Sequence, residues 1–410
     1  MHHALLAVLP FLTGYFISYF IRTINAVIAP ELSLELGLSP GSLGALTSAY
    51  FLAFAIAQLP VGLLLDRFGP RRTEAGLLII AAIGAVGFGL GRSELELMLA
   101  RAMMGVGVSA CLMATLKFTT QRFPLDRQAA LTGLVMTSGG LGAVMSSAPL
   151  EMLLPFVGWR AVFFGLAALS IAAAVYLYFS VEDVEATRTE QHALPVFAGL
   201  MQIFREPAFW MFVPVAALAT GGYMAIQGLW VVPWLMQVED MPRAIAARYQ
   251  LVLSAAGLCG QLMIATFATR LISRGIGQLQ LMVGGLALAM LAQTLIAWSG
   301  GHQYLWWFLL GFAGSSGAQI YSLLAARFPL PLAGRVMSSI NLAVFLGAFA
   351  VQWGFGELVD ALQAHMPLTD AYRVTLLVLV GGQCIGLVML LWSRRLSHGE
   401  SAANKSRIVA

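Results

Sequence analysis

At 410 residues, of which 59% are hydrophobic and 10% charged, the chain carries more apolar surface than one soluble core can hide. A mean hydropathy of +0.83 points instead to an all-α polytopic membrane protein. The net charge of +4 includes no basic run interleaved with aromatics, which excludes a nucleic-acid surface.

A membrane-crossing helix needs ~20 apolar residues. Twelve such stretches are predicted, at roughly residues 6–29, 42–64, 74–91, 95–117, 129–150, 159–180, 208–235, 246–268, 279–299, 303–326, 336–356 and 373–393. The first is too long for a signal peptide and lacks a small-residue cleavage site, so it reads as a retained helix. Cys111, Cys259 and Cys384 all fall inside predicted helices, as small packing residues, and imply no disulfide, metal or cofactor site.

Basic residues set the orientation. With a cytoplasmic N-terminus, the inner segments hold sixteen Lys and Arg and the outer ones five, Arg92, Arg160, Arg243, Arg248 and Arg373. This bias predicts a protein of the cell inner membrane with both termini cytoplasmic, and makes the net charge topological.

The chain is also duplicated. Arg122-Phe123-Pro124-Leu125 returns 205 positions later as Arg327-Phe328-Pro329-Leu330, and Gly133-Leu134-Val135-Met136 is echoed by Gly334-Arg335-Val336-Met337. Two parallel six-helix halves are expected: 1–180, a hydrophilic cytoplasmic linker at 181–207 with Glu182, Asp183, Glu185, Arg188, Glu190 and His192, then 208–393 and a cytoplasmic tail at 394–410.

Between the second and third apolar stretches lies GLLLDRFGPRR, residues 62–72. Gly62, Leu64, Asp66, Arg67, Gly69, Arg71 and Arg72 resemble the signature loop of the major facilitator superfamily, G-x-L-x-D-R-x-G-R-R, with Pro70 inserted before the arginine pair. The resemblance implies twelve helices in two pseudo-symmetric halves, with this loop latching the cytoplasmic side. Thr269, Arg270, Arg274 and Gly275 form a degraded echo after the eighth helix. Arg101, Gly105 and Gly107 resemble the superfamily's R-x-x-x-G-x-G element, so Arg101 is grouped with the latch. Gly158-Trp159-Arg160 resembles its usual approach to helix six. Gly133, Gly139, Gly140 and Gly142 resemble the glycine-rich antiporter motif, but the Gly-Pro pair is missing, which argues against a drug–proton antiporter.

Arg22 lies near the middle of the first helix, where a charge is costly and marks a functional site by default. Asn25, three positions on, is expected on the same face. All nineteen acidic residues and all six histidines are assigned to loops or helix ends, so Arg22 is left without a carboxylate partner in the bilayer. A guanidinium of that kind suits a carboxylate or phosphate, which it grips with two parallel hydrogen bonds.

The first seventy residues resemble the anion:cation symporters and organophosphate:phosphate antiporters of the superfamily, where an Arg in helix one serves the substrate anion. An ELGLS-like turn, Glu35 to Ser39, follows as it does there. Phosphate antiporters add a second Arg in helix seven, where this chain has Tyr223, Gln227 and Trp230; many symporters place an Asp before the Arg, where this one has Ile21. A singly charged carboxylate is thereby favoured over organic phosphate. Tyr223, Gln227 and Trp230 at i, i+4 and i+7, and Asn341, Phe345 and Gln352 on helix eleven, are predicted to line the path. Lys117 reads as an interface anchor.

No nucleophile elbow, Walker loop, HExxH or Cys/His cluster is present, so an enzyme is not expected. The sequence supports a monomeric secondary transporter of a small organic anion in the lipid bilayer, with a co-transported proton or an exchanged anion. Any proton coupling would use a helix-end acid such as Glu151 or Glu357, or the substrate's own carboxyl group. The alternative is a facilitator or exporter of a neutral or cationic compound in which Arg22 is structural.

Overall fold

The computed structural model describes residues 2–181, 196–298, 303–329 and 332–408, with the backbone alone at 2–7, 125–126, 129, 196–199, 269 and 393–408. The linker charges from Glu182 to His192, and Leu330 of the second repeat copy, lie outside the described residues. Every described element is a helix. Among the described residues, nine helices are long and apolar enough to cross a membrane. One of the nine, Pro40–Leu90, is two helices in line, divided at Gly69 by a positive φ of 77°. The bent pair at the N-terminus and the shorter apolar helix Ala130–Met145 complete the expected twelve.

In chain order α1 is His2–Thr23 plus Asn25–Leu36, bent by 44° at Ile24. α2 and α3 are 40–68 and 70–90, and α4 runs from Glu94 to Arg122. α5 is Leu125–Met145, and α6 is the 159–180 part of Ala148–Ser180, which kinks at Gly158 with φ 71°. α7 is Pro207–Gln237, α8 Arg243–Ser273, α9 Gln278–Ala297, α10 Gln303–Ala325, α11 Ala333–Gln363 and α12 Leu368–Ile408. The segment expected to be only a linker contains a further short helix, Val196–Arg205, and α12 runs on through the expected tail.

The repeat is visible in backbone conformation. Gly69 and Gly275 are both left-handed, at φ 77° and 90°, and each closes the turn between the second and third helices of its half. A side chain is strained there, which gives the faint echo at 269–275 a physical reason. Both Arg-Phe-Pro copies likewise fall between a fourth and a fifth helix.

Glycines set the spacing of the helices. A Cβ on Gly105 would stand 2.3 Å from the Tyr50 carbonyl oxygen, and one on Gly107 would stand 2.2 Å from the Ala81 amide nitrogen. The Arg-Gly-Gly element of α4 therefore seats that helix on α2 and α3. Along α3, Ile79, Ile83, Val86 and Leu90 are exposed at spacings of four, three and four, a single face turned outward as lipid contact requires.

α2 meets α11, and α5 meets α8, across the junction of the halves. The contact is closest at the end bearing the 37–39 turn, called here the far end; the Gly69 turn marks the opposite one. There Gly44 lies against the Gln352 carbonyl and Gly356 against that of Pro40. Asp360 accepts hydrogen bonds from Ser39 Oγ at 2.6 Å and from the Gly41 amide at 2.8 Å. Arg243 pairs with Glu31 and, at 3.5 Å, with Glu151. The far end is closed.

Candidate functional site

The bend in α1 falls between Arg22 and Asn25. The two do not act as one stripe: Asn25 turns to α2 and donates to Thr47 Oγ1 at 2.9 Å, whereas Arg22, 5% exposed, lies at the seam of the halves. Its guanidinium carbon is 4.3 Å from the Tyr19 ring centroid, 5.2 Å from that of Phe345 and 5.8 Å from that of Phe54. The Tyr50 hydroxyl is its polar neighbour. Among the described residues no carboxylate pairs with it, and its buried Nε–H lacks an acceptor.

Rings and anions use different parts of a guanidinium. Aromatic faces cover the flat sides, each worth about 0.5–2 kcal/mol, while the N–H groups lie in the plane and need acceptors. The arrangement can therefore hold a planar anion without giving up its aromatic contacts. On the other side of the seam, Tyr321 Oη donates to Asn341 Oδ1 at 2.8 Å. Tyr15, Tyr19 and Arg22 fall at i, i+4 and i+7 of α1, a stripe that the sequence displays and that went unread. Tyr50, Phe54 and Tyr321 carried no local signal.

Of the remaining predicted wall residues, Gln352 comes close to the Arg22 backbone: a Cβ on Gly228 of α7 would stand 3.3 Å from the Arg22 carbonyl oxygen and 4.0 Å from Gln352 Oε1. α7 contains two π-helical stretches, Ala216–Gly221 and Ile226–Trp230, which change the turn period and disperse the expected Tyr223, Gln227 and Trp230 stripe. Tyr223 is packed against Gly257 of α8 and Gly314 of α10, and Gln227 donates to Ser254 at 3.2 Å. Trp230 donates to the Gln352 carbonyl at 3.2 Å and stacks on Phe355 at 4.7 Å. Gln352 is fully buried in that far-end layer, its amide atoms without partners. Phe345 is thus the member of the predicted set that faces the Arg22 guanidinium, with Gln352 near the Arg22 carbonyl and Asn341 held by Tyr321.

Arg101 lies away from the signature turn. It is fully buried, donates to the Ile21 carbonyl at 2.7 Å and covers the Tyr50 ring at 5.3 Å, so it braces α1 directly behind Arg22. At the turn itself, Lys117 Nζ reaches Asp66 Oδ1 at 2.5 Å and the Leu65 carbonyl at 3.1 Å. Lys117 is the partner of the signature acid, a role the sequence did not suggest. Arg71 donates to the carbonyls of Tyr178 and Val181 at 3.3 and 3.0 Å, and Thr73 ties across Gly69 to the Leu64 carbonyl at 3.0 Å. Gly62 has open space around it, and Arg67 lies over its neighbour Phe68.

Among the described residues the assignment of every acid to a loop or helix end fails for Glu31 and Glu357, which lie inside helices, and most plainly for Glu74. Glu74 is fully buried, between Gly14 of α1 and Cys111 of α4, with both carboxyl oxygens unpartnered. Only the Thr73-Glu74 polar pair at the start of an otherwise apolar run hinted at it. Glu151 and Glu357, the acids offered for proton coupling, are engaged at the far end, with Arg243 and with Trp353 Nε1 at 2.9 Å.

Residues 11–352 match the profile of the Major Facilitator Superfamily. The chain is 28% identical over 289 residues to a probable L-galactonate transporter of Escherichia coli K12, covering 67% of this chain and 63% of that protein. It is 27% identical over 169 residues to a probable sulfoacetate transporter of Cupriavidus necator, covering 41% of this chain and 39% of the relative. Both alignments span less than two thirds of the relative's length. In fold it is similar to a bacterial homolog of the human lysosomal transporter Spinster, with a TM-score of 0.75 at 19% identity over 95% of this chain and 96% of the other.

Proposed function

The chain belongs to the major facilitator superfamily, a family of transporters rather than enzymes, and on that footing we propose that it moves a small organic monoanion across the cell inner membrane. Arg22 is the residue that grips the anion. The observation that carries this reading is a guanidinium at the seam of two six-helix halves, flanked by Tyr19, Phe54 and Phe345, with an in-plane N–H and no acid to receive it. A fixed cation at membrane depth costs at least ~2.5 kcal/mol, so a mobile counter-ion offsets an expense the fold leaves open. The second α1 segment starts at Asn25, and its N-terminal dipole adds to the same field. Arg101 adds charge behind Arg22, with one N–H on the Ile21 carbonyl and its Nε and Nη2 without partners, but it is Arg22 that stands at the seam against Phe345 of the other half. The names of the L-galactonate and sulfoacetate relatives, a monoanion and a dianion, support an organic anion as the substrate class.

Transport proceeds by alternating access, with both termini cytoplasmic. The closed far end is then the extracytoplasmic one, and the site opens toward the signature turn. Uptake into proteoliposomes, screened over sugar acids, short monocarboxylates, sulfonates, nitrate and neutral sugars, tests the class. An anion carried by wild type should be lost with Arg22→Gln and weakened with Arg22→Lys, which keeps the charge but not the fork. Unchanged uptake by Arg22→Gln rejects the reading and favours the second one: a neutral or cationic solute, with Arg22 held structurally by its three rings.

A further inference from the structure

Glu74 is the largest unexplained expense in the N-terminal half. It sits four residues past the start of α3, fully buried, and neither carboxyl oxygen has a hydrogen-bond partner. Gly14 of α1 approaches so closely that a Cβ there would stand 2.3 Å from Oε1; the Cys111 sulfur of α4 would lie 3.6 Å from the same point. Cys111 is thus the titratable group that faces it from α4, and α1 faces it with bare backbone. Of the basic residues on α2, α3 and α4 nearby, Lys117 pairs with Asp66, Arg71 donates to the carbonyls of Tyr178 and Val181, Arg67 lies over Phe68 and Arg72 is exposed. An ionised carboxylate in such a place is shut off from bulk solvent and, among the described residues, has no cation and no donor beyond a weak thiol beside it. Burial of that kind is tolerated for the neutral acid and not for the anion.

We propose that Glu74 is a proton-binding site of the transport cycle, loaded in this far-end-closed conformation and emptied when α1 moves. The link to α1 is geometric. The backbone at Gly14 is the lid on the carboxyl, and the same helix carries Arg22 eight residues on, about 12 Å along the axis at 1.5 Å per residue. A displacement of α1 that admits water to Glu74 also moves Arg22. A proton on Glu74 and a monoanion on Arg22 would then enter the cycle as a neutral pair. Only this last step rests on the anion reading; proton binding and its coupling to α1 do not need it.

Two measurements on the full-length chain in lipid, without any substrate, test the proposal. Infrared spectroscopy of wild type at neutral pH should show the carbonyl stretch of a neutral carboxylic acid, and Glu74→Gln should lack it. A wild-type spectrum without that band overturns the proton site, whatever the variant's fate. Spin labels at the exposed positions 92 and 365, one far-end turn in each half, then report the conformational equilibrium by pulsed electron resonance. Raising the pH should move wild type away from the closed distribution, by at most ~tenfold in population per pH unit for one proton, and Glu74→Gln should not respond. Equal responses in both chains overturn the coupling. Failure of either result leaves the Arg22 reading standing, because neither requires an anion.

Discussion

Phe54 and Phe345 stack across the seam of the two halves with ring centroids 3.9 Å apart and planes 8° from parallel. Both rings lie within 6 Å of the Arg22 guanidinium carbon, so the pair joins the halves and walls the proposed site. A ring pair of this type is worth about 0.5–1.5 kcal/mol beyond its buried area. Phe345→Leu should therefore shift the balance toward a far-end-open state by roughly two- to tenfold. Spin-label distances between positions 92 and 365 measure it. A distribution unchanged from wild type would mean that the rings part without cost, and that the seam is held elsewhere.

Asp66 presents the opposite case. Its bridge to Lys117 is short, but the carboxylate side chain is 66% exposed and both partners belong to the N-terminal half. An exposed pair contributes about 0–1 kcal/mol, so Asp66→Asn should leave thermal stability within a degree or two of wild type. If the signature turn is a latch for the other conformation, the same variant should slow transport several-fold while anion binding in detergent is retained. Loss of binding in a folded Asp66→Asn protein would contradict the latch.

Much of this was legible because hydropathy acts residue by residue, and twelve apolar stretches needed no knowledge of packing. Arg22 was legible for the same reason: a charge amid SYFIRTIN is conspicuous. What could not be read depends on neighbours distant in the chain. The π-helical stretches of α7 are a tertiary adjustment, and they dispersed a stripe that assumed 3.6 residues per turn. Glu74 lies near a helix start, where acids are ordinary; its burial comes from α1 and α4, which the sequence does not place beside it. Gly158-Trp159-Arg160 acquired a reason only in three dimensions. Gly158 turns the chain at φ 71°, and Trp159 Nε1 and Arg160 Nη1 donate to Glu35 at 3.0 and 2.9 Å.

The glycine readings divide cleanly enough to test. At Gly107 a methyl group would meet the Ala81 backbone at 2.2–2.5 Å, a collision that no side-chain rotation relieves. Overpacking of this kind costs about 1–3 kcal/mol or more, so Gly107→Ala should lower the melting temperature and the monodisperse yield. Gly133, from the motif that resembles antiporters, has nothing within 4 Å of a Cβ, and Gly133→Ala should be neutral. Equal losses in the two variants would contradict the packing account.

The far-end closure rests in part on a single carboxylate. Ser39 is the N-cap of α2, where the first backbone N–H groups lack partners within the helix. Asp360, from α11 of the other half, supplies one of the missing acceptors by taking the Gly41 amide at 2.8 Å, and it also holds the Ser39 hydroxyl at 2.6 Å. A negative charge at a helix N-terminus is favourable by about 0.3–1 kcal/mol, and an N-terminal cap by about 0.5–2 kcal/mol. Because the acceptor and the helix belong to different halves, that energy exists only while the far end is shut. Asp360→Asn keeps the size and an acceptor oxygen but removes the charge, whereas Asp360→Ala removes both. The two should open the far end in that order, the alanine variant by up to about tenfold in population, since ~1.4 kcal/mol is one decade. Thiol labelling of a Ser42→Cys probe gives the readout, with faster modification in the more open variants. Identical labelling rates in wild type, Asp360→Asn and Asp360→Ala would show that this contact follows closure rather than holding it.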